Sequence, residues 1–221
     1  YGRLIEGAGF AKVEDMYAFW GHVDMLETLD KKLEFVREES IRRFQIHLRP
    51  LNKSRFLADV RMFLDIYNKS LVGTWGFVPM SDAEVEHASR SLKHLIVPEL
   101  TSIAEIDGKP VAVAFGLLDY NPRIKKIDGR LFPAGFLRLL WNRHAIKKFR
   151  IVSANVLPEY QKWGLGLVVL SGLVPHILEF GIQEAEFSWV LESNKLSFGS
   201  LKRGGAKITK KYRLYDSITE S

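Results

Sequence analysis

The sequence of 221 residues predicts an α/β protein of the α+β kind, with a central mixed β-sheet flanked by helices. From Phe44 onward, segments with strand and helix periodicity follow in the order β, α, α, β, β, (α), β, α, β, α, β. A hairpin is predicted around the turn Asp107-Gly108, and a long apolar helix follows the strand that stops at Pro158. This order differs from that of a doubly wound nucleotide-binding sheet.

Each element is predicted from periodicity and from the residues that begin or end it. Apolar residues alternate over 44–48, which is typical of a half-buried strand, and recur at helical spacing over 56–67. Ser81 and Glu84 form a capping box at the start of a second helix, which Pro98 terminates. The later elements are strands 101–106 and 111–118, a short helix near 136–140, strand 150–156, a helix over 164–180 bent near Pro175, strand 186–191, helix 194–202 and strand 207–215.

The composition excludes several classes of site. There is no cysteine, so disulfides, thiol nucleophiles and cysteine-based zinc sites are excluded, and the six scattered histidines predict no metal. The most apolar run, 165–175, is shorter than the about 20 residues that span a bilayer. No signal peptide is recognisable, and the chain begins with Tyr1, as a piece of a longer protein would. We expect a soluble, cytoplasmic protein without a membrane partner.

The net charge of +6 is concentrated in two stretches. Nine Lys or Arg residues face one acid, Asp128, between residues 123 and 150, and seven more without an acid lie between 195 and 213. These stretches form either an ordinary solvated surface or a field that attracts a polyanion, such as nucleic acid or a nucleotide-bearing cofactor. Because no nucleic-acid-binding module is recognisable, nucleic acid is the weakest of these partners.

The most informative segment is 156–167. A strand ends at Pro158, Gly164 and Gly166 stand two residues apart, and a long helix begins at once. Glycine allows close approach of the backbone to a ligand, and a helix N-terminus offers free N–H groups with a partial positive charge. The segment therefore predicts a cradle for a pyrophosphate. A valine at either glycine is expected to block this cradle and to leave the protein folded.

Val156, Pro158, Gln161, Gly164 and Gly166 together resemble the donor-binding signature of the GNAT superfamily of acyl-CoA N-acyltransferases. The order of elements also agrees, and the resemblance covers about 44–216, with most similarity to a little-described bacterial branch. It implies the GNAT fold, with acetyl-CoA or another acyl-CoA as co-substrate and a small-molecule or peptide amine as acceptor. A homodimer is left open.

The resemblance also implies roles for individual residues. Asn155, Val156 and Leu157 would diverge from the neighbouring strand and bind the pantetheine arm, with Asn194 and Ser197 on its other side. For Asn194 an ordinary helix N-cap is the alternative, and for Ser197 a small side chain without a role. The pyrophosphate would lie against the backbone amides of Gln161, Lys162, Trp163, Gly164, Leu165, Gly166 and Leu167.

The catalytic groups are less clearly indicated. Leu201 stands where many members of the superfamily carry a tyrosine that protonates the leaving thiolate. Glu192 is the first candidate for the general base and Asp119 the second, each with an ordinary surface carboxylate as the alternative. The amide of Val156 or Leu157 could stabilise the oxyanion. Two functions stay open, namely an acyltransferase and an inactive module that binds CoA or an acyl group.

Three further segments have two interpretations each. The aromatic stretch 73–79 and the stretch 129–133 either pack in the core, which we favour, or shape an acceptor site. Residues 1–35 are predicted to lie apart from the acyltransferase domain, 36–221. Residues 1–20 resemble the tail of an upstream GNAT domain and equally fit a simple N-terminal arm.

Overall fold

The computed structural model describes residues 1–28 and 31–217, with the backbone alone at residue 28. Its sheet has seven strands in the spatial order β2-β3-β4-β5-β6-β1-β7, and the β5–β6 pair is parallel whereas the other pairs are antiparallel. The predicted mixed sheet is thus confirmed. The strands are β1 (Phe10–His22), β2 (His47–Arg49), β3 (Thr101–Ile106), β4 (Lys109–Leu118), β5 (Lys148–Val156), β6 (Glu184–Leu191) and β7 (Lys207–Ser217).

Helices cover both faces of the sheet. The helices are α1 (Gly2–Gly7), α2 (Lys31–Phe44), α3 (Phe56–Ser70), α4 (Asp82–Leu92), α5 (Asn121–Lys126), α6 (Gly135–Leu140), α7 (Leu165–Ser171), α8 (Val174–Phe180) and α9 (Lys195–Arg203). On one face, Val60 and Phe63 of α3 are buried against Ile103 and Val113, and α4 packs against α3. On the other face, α7 packs on β3, β4 and β5, and α2 packs on α7.

Local sequence signals account for several boundaries. Glu84 donates its backbone N–H to Ser81 Oγ, and the Glu84 carboxylate accepts from Ser81 N at 2.8 Å, so the capping box is present. Asp107 and Gly108 both have positive φ, as a tight hairpin turn requires. The helix predicted over 164–180 is interrupted between α7 and α8, before Pro175. Proline then occupies the first turn of α8, where a missing N–H costs little.

The N-terminal segment belongs to the sheet. Strand β1 lies between β6 and β7, antiparallel to both, and α2 runs across the predicted boundary at residue 35. Residues 10–22 therefore complete this domain and do not form a separate unit. The origin of the segment as the tail of an upstream domain stays a prediction. The charge-rich sequence of 30–43 predicts a helix or a linker. The structure has helix α2 from Lys31 onward, whereas residue 30 lies outside the described residues.

The connection between β4 and β5 forms an ordered insertion of α5 and α6. Arg123 on α5 donates hydrogen bonds from its guanidinium to the carbonyl groups of Leu139, Trp141 and Asn142. Gly135 is buried so closely against Arg130 that an added Cβ would lie 1.8 Å from the Arg130 carbonyl oxygen. The insertion is therefore held together by its own contacts.

Candidate functional site

The turn from β5 into α7 has the conformation that a ligand cradle needs. After Val156 a 3-10 helix spans Pro158–Trp163, Gly164 adopts the left-handed conformation with φ +77°, and α7 begins at Leu165. Leu167 N and Val168 N bond to the Gly164 carbonyl oxygen. Leu165 and Gly166 are the first two helical residues, whose N–H groups an α-helix leaves without an internal partner. These two amides are the ones available to an anion.

Helix α2 supports this turn from behind. A Cβ at Gly164 would lie 2.6 Å from Val36 Cγ1 and 2.9 Å from Ser40 Oγ. The buried Ser40 hydroxyl also lies 2.6 Å from the carbonyl oxygen of Trp163. Gly164 is therefore favoured by packing against α2 as well as by φ, and these contacts argue against the expectation that Gly164→Val leaves the fold undisturbed. Gly166 is different, since its Cβ would meet only Val156 Cγ2, at 3.8 Å.

Arg43 of α2 is a cation beside the cradle that the sequence analysis missed. Its guanidinium lies over the ring of Trp163, with 4.3 Å from Cζ to the ring centroid, and both side chains are exposed. Phe44, on the same helix as Arg43, packs edge-on against the ring of Trp163. The exposed Lys162 adds a second positive charge on the turn. The alternating charges of α2 gave no sequence signal that Arg43 would lie here.

Polar side chains fix the turn to the end of α3. Gln161 Nε2 donates to the carbonyl oxygens of Ser70, at 3.0 Å, and Val156, at 3.2 Å. The buried Asn155 donates from Nδ2 to Ser70 Oγ at 2.8 Å. The side chains of Asn155 and Gln161 therefore hold β5, α3 and the turn in register.

An opening lies between β5 and β6 beside this turn. The two strands pair only from Lys148–Glu184 to Ile151–Phe187, and both continue beyond the last pair. Each strand is held on its outer edge, because β4 pairs with β5 as far as Val156 and β1 pairs with β6 as far as Leu191. The inner edges therefore separate at the point where the resemblance implied a pantetheine site.

The direction of the amides along β5 decides which of them face the opening. Leu157 N donates to the Val111 carbonyl oxygen at 2.9 Å, across the edge that faces β4. Successive residues of a strand alternate the edge to which their N–H groups point. Val156 N–H therefore points to the opening, whereas the Leu157 amide is engaged. Leu157 is excluded as the oxyanion donor, and Val156 remains.

Comparison with known proteins shows which fold contains this opening. No family model matches the sequence. The structure of a GCN5-related N-acetyltransferase from Sphaerobacter thermophilus superposes with a TM-score of 0.61 at 17% identity, over 96% of this chain and 54% of that one. The chain has the GCN5-related N-acetyltransferase (GNAT) fold. The structure of yncA from Salmonella typhimurium, solved with its cofactor acetyl-CoA, matches 80% of the chain at TM-score 0.50 and 16% identity, over 95% of its own length.

Two curated bacterial proteins are similar in sequence over nearly the whole chain. Protein YghO of Escherichia coli (strain K12) is 31% identical over 225 residues, which cover 98% of this chain and 56% of YghO. The bacterial ceramide synthase of Caulobacter vibrioides (strain NA1000 / CB15N) is 29% identical over 224 residues, which cover 97% and 57%. The chain thus spans little more than half the length of these curated relatives. The fold implied by the sequence resemblance to GNAT proteins is confirmed.

Within the GNAT fold, Asn194 and Ser197 form the start of α9. Asn194 caps this helix, because its side-chain oxygen accepts the N–H of Ser197 at 3.1 Å. The side-chain oxygen of Asn194 is therefore an ordinary helix N-cap, the alternative that the sequence left open. The Ser197 side chain is exposed. Leu201, on the same helix, packs against the buried cluster that contains Phe19 and Val190. Its side chain occupies apolar space and offers no proton to a thiolate.

Glu192 follows β6 and interacts with β1. Its carboxylate pairs with Lys12 Nζ at 2.5 Å and lies 3.5 Å from the Tyr17 hydroxyl. The hydrogen bond from Lys12 lowers the pKa of Glu192 below its usual range. A general base that works near neutral pH needs the opposite shift. The role of Glu192 as a base stays a prediction, and these surroundings argue against it.

Asp119 lies at the other end of the sheet from the cradle. Its N–H donates to the carbonyl oxygen of Lys148, the first residue of β5, and its carboxylate accepts from Asn121 N and Nδ2. Eight residue steps of about 3.3 Å place Lys148 about 26 Å from Val156. Asp119 therefore lies two residues before α5 and is remote from the turn at Gly164.

Proposed function

We propose that this protein transfers an acyl group from an acyl-CoA to an amine nitrogen. The observation that carries the proposal is the opening between β5 and β6, next to a turn whose helix-start amides and neighbouring cations suit a pyrophosphate. The fold supports this assignment, because it is shared with a protein described as an N-acetyltransferase and with yncA, which was solved with acetyl-CoA.

In this proposal the pyrophosphate of CoA lies at the start of α7. The amides of Leu165 and Gly166 donate to phosphate oxygens, and the partial positive charge of the helix end attracts them. Arg43 and Lys162 add two cations within the same exposed region. Leu167 N already bonds to the Gly164 carbonyl oxygen, so of the turn amides from Gln161 to Leu167 only those of Leu165 and Gly166 are assigned to the anion.

The pantetheine arm would extend along the free inner edge of β5. An extended chain with amide groups can pair with this edge as a further strand would, and Val156 N–H is one available donor. Asn194 and Ser197 would line the opposite side of the arm from the start of α9. The thioester carbonyl would lie close to Val156, whose N–H is the candidate oxyanion donor.

The chemical step forms a C–N bond and breaks a C–S bond. The lone pair of a neutral amine attacks the thioester carbonyl carbon, the tetrahedral oxyanion accepts hydrogen bonds, and the CoA thiolate leaves. One proton passes from the amine to a base or to water, and the thiolate takes up a proton. Because the Leu201 side chain cannot donate a proton, we propose that water protonates the thiolate.

We further propose that the acceptor is a long-chain lipid amine. The ceramide synthase of Caulobacter vibrioides is 29% identical over nearly the whole chain. The loop after α3 adjoins the turn at the Gln161–Ser70 bond and exposes Trp75 and Val78, the latter to 79%. The sequence favours core packing for 73–79, and Phe77 does pack against Tyr67. Trp75 and Val78, in contrast, are exposed. An exposed apolar surface beside the donor site fits a lipid better than a polar amine.

A transfer assay tests both levels of the proposal. The protein is incubated with acetyl-CoA or palmitoyl-CoA and either sphinganine or a polar amine, and free CoA and the amide product are measured. Amide formed with sphinganine in preference to the polar amine supports the lipid acceptor. Tight CoA binding without turnover on any amine would favour the inactive CoA-binding module. No CoA binding would refute the donor assignment.

A further inference from the structure

The insertion between β4 and β5 exposes apolar side chains on one side of α6. Gly135 and Leu139 face inward and are buried, whereas Leu137 is 66% exposed and Trp141 is 75% exposed. Trp141 follows α6 directly and donates its N–H to the Leu137 carbonyl oxygen at 2.8 Å, so Leu137 and Trp141 are neighbours. Phe132, in the loop before α6, is 86% exposed. Water-exposed apolar groups clustered in this way mark an interaction surface.

The same insertion is rich in basic residues. Within residues 121–145 the basic side chains outnumber the single acid, Asp128, and they are Arg123, Lys125, Lys126, Arg130, Arg138 and Arg143. Arg123 and Arg143 donate to backbone carbonyl groups and hold the insertion in place. Lys125, Lys126 and Arg138 are exposed and form no ion pair with any residue in 1–28 or 31–217. Their charge is available to an anionic partner.

The combination points to one kind of partner. Nucleic acid would use the cations but not Leu137 and Phe132, whereas a purely apolar protein partner would leave the cations without a role. An anionic bilayer uses both, because aromatic and leucine side chains enter the interface while Lys and Arg contact the lipid phosphates. Tryptophan, present here as Trp141, is favoured at this depth because its ring is apolar and its N–H is polar.

We propose that α5, α6 and the loop between them bind the surface of an anionic lipid bilayer. The sequence analysis expected no membrane partner because no segment is long enough to span one, and among the described residues no helix could cross a bilayer. Binding to the surface requires no such helix. The insertion lies at the end of β5 away from Gly164, so the proposal is independent of the donor site.

Co-sedimentation with vesicles tests the proposal. The protein is mixed with vesicles of phosphatidylcholine alone or with added phosphatidylglycerol. We expect binding to the anionic vesicles to be at least about tenfold stronger, and Lys125→Gln with Lys126→Gln to weaken it by about tenfold or more. The matched control is Lys109→Gln with Lys207→Gln, two exposed lysines at the starts of β4 and β7, and it should keep most of the binding.

The apolar contribution has its own pair of variants. Leu137→Asp should reduce binding to the level seen with neutral vesicles, whereas Leu178→Asp, at a half-exposed leucine on α8, should not. A blue shift of tryptophan fluorescence on anionic vesicles should disappear in Trp141→Phe, which still binds. The proposal is overturned if the protein does not bind anionic vesicles, if both leucine variants behave alike, or if duplex DNA competes fully and Leu137→Asp has no effect.

Discussion

Arg213 on β7 donates two hydrogen bonds to the fully buried carboxylate of Asp15 on β1, at 2.8 and 3.1 Å. Lys12 and Lys211 also lie within 3.0 Å of the same carboxylate. The bond from Arg213 above all keeps the pKa of Asp15 far below its usual range, against the opposite effect of burial. This ion pair links β1 to the last strand of the sheet.

Asp15→Asn should therefore lower the free energy of unfolding at neutral pH by about 1.5–3 kcal/mol, the contribution of hydrogen bonds to a charged group. The folded-state pKa is depressed, so the stabilisation is complete above the unfolded pKa of about 3.9 and is lost as pH falls toward the folded value. Denaturant unfolding of variant and parent should converge in acid. Asp65→Asn, at an exposed pair with Lys69, is the control with little effect.

The two glycines of the turn should behave differently when each is replaced by alanine. Gly164→Ala puts a Cβ into Val36 and Ser40 at positive φ and should lower the melting temperature. Gly166→Ala makes only an ordinary contact with Val156 and should keep or raise the melting temperature, because alanine favours helix. We expect Gly166→Val to weaken CoA binding in a folded protein, measured by calorimetry. Normal binding by that variant would place the pyrophosphate elsewhere.

Arg43→Gln should weaken CoA binding by about tenfold, since a charge-assisted contact to phosphate is lost. Arg42→Gln is the matched control, because Arg42 is the preceding residue and pairs with Glu39 at 2.6 Å. Titration at two salt concentrations should show a smaller salt dependence in the Arg43 variant. Equal affinities for both variants would remove Arg43 from the donor site.

Glu192→Gln provides a test of the base that the sequence suggested. With its pKa lowered by Lys12, Glu192 stays ionised down to pH values below the ordinary glutamate range. We therefore expect kcat to fall by much less than the about hundredfold loss typical of a general base. The pH–rate profile above neutrality should not change. A hundredfold loss with unchanged CoA affinity would restore the catalytic role.

Leu201→Tyr should not supply the missing acid. Leu201 packs against Phe19, Val190 and Ala206, so the larger ring overpacks the cluster and should cost about 1–3 kcal/mol of stability. Turnover should stay the same or fall. Faster turnover at full stability would show that the tyrosine reaches the thiolate.

The sequence predicted those features of the fold that depend on residues close together in the chain. Asp107-Gly108, Ser81 with Glu84, and the turn at Gly164 are local signals, and the structure contains each of them. It could not predict that α2 packs behind Gly164, because Val36 and Ser40 meet this glycine only through tertiary contact. The engagement of the Leu157 amide by Val111 depends likewise on strand register.

The position of β1 has a consequence for synthesis on the ribosome. Trp20 pairs with Glu186 and Lys12 pairs with Tyr215, so this early strand finds its partners only near the end of the chain. Strands β2 to β5 are closer to one another in the sequence and can pair while β1 is still unpaired. During that time the side chains of Tyr17, Ala18 and Phe19, buried in the finished protein, are exposed. Such long-range pairing slows folding, and an unpaired strand with exposed apolar side chains is a typical binding site for a chaperone.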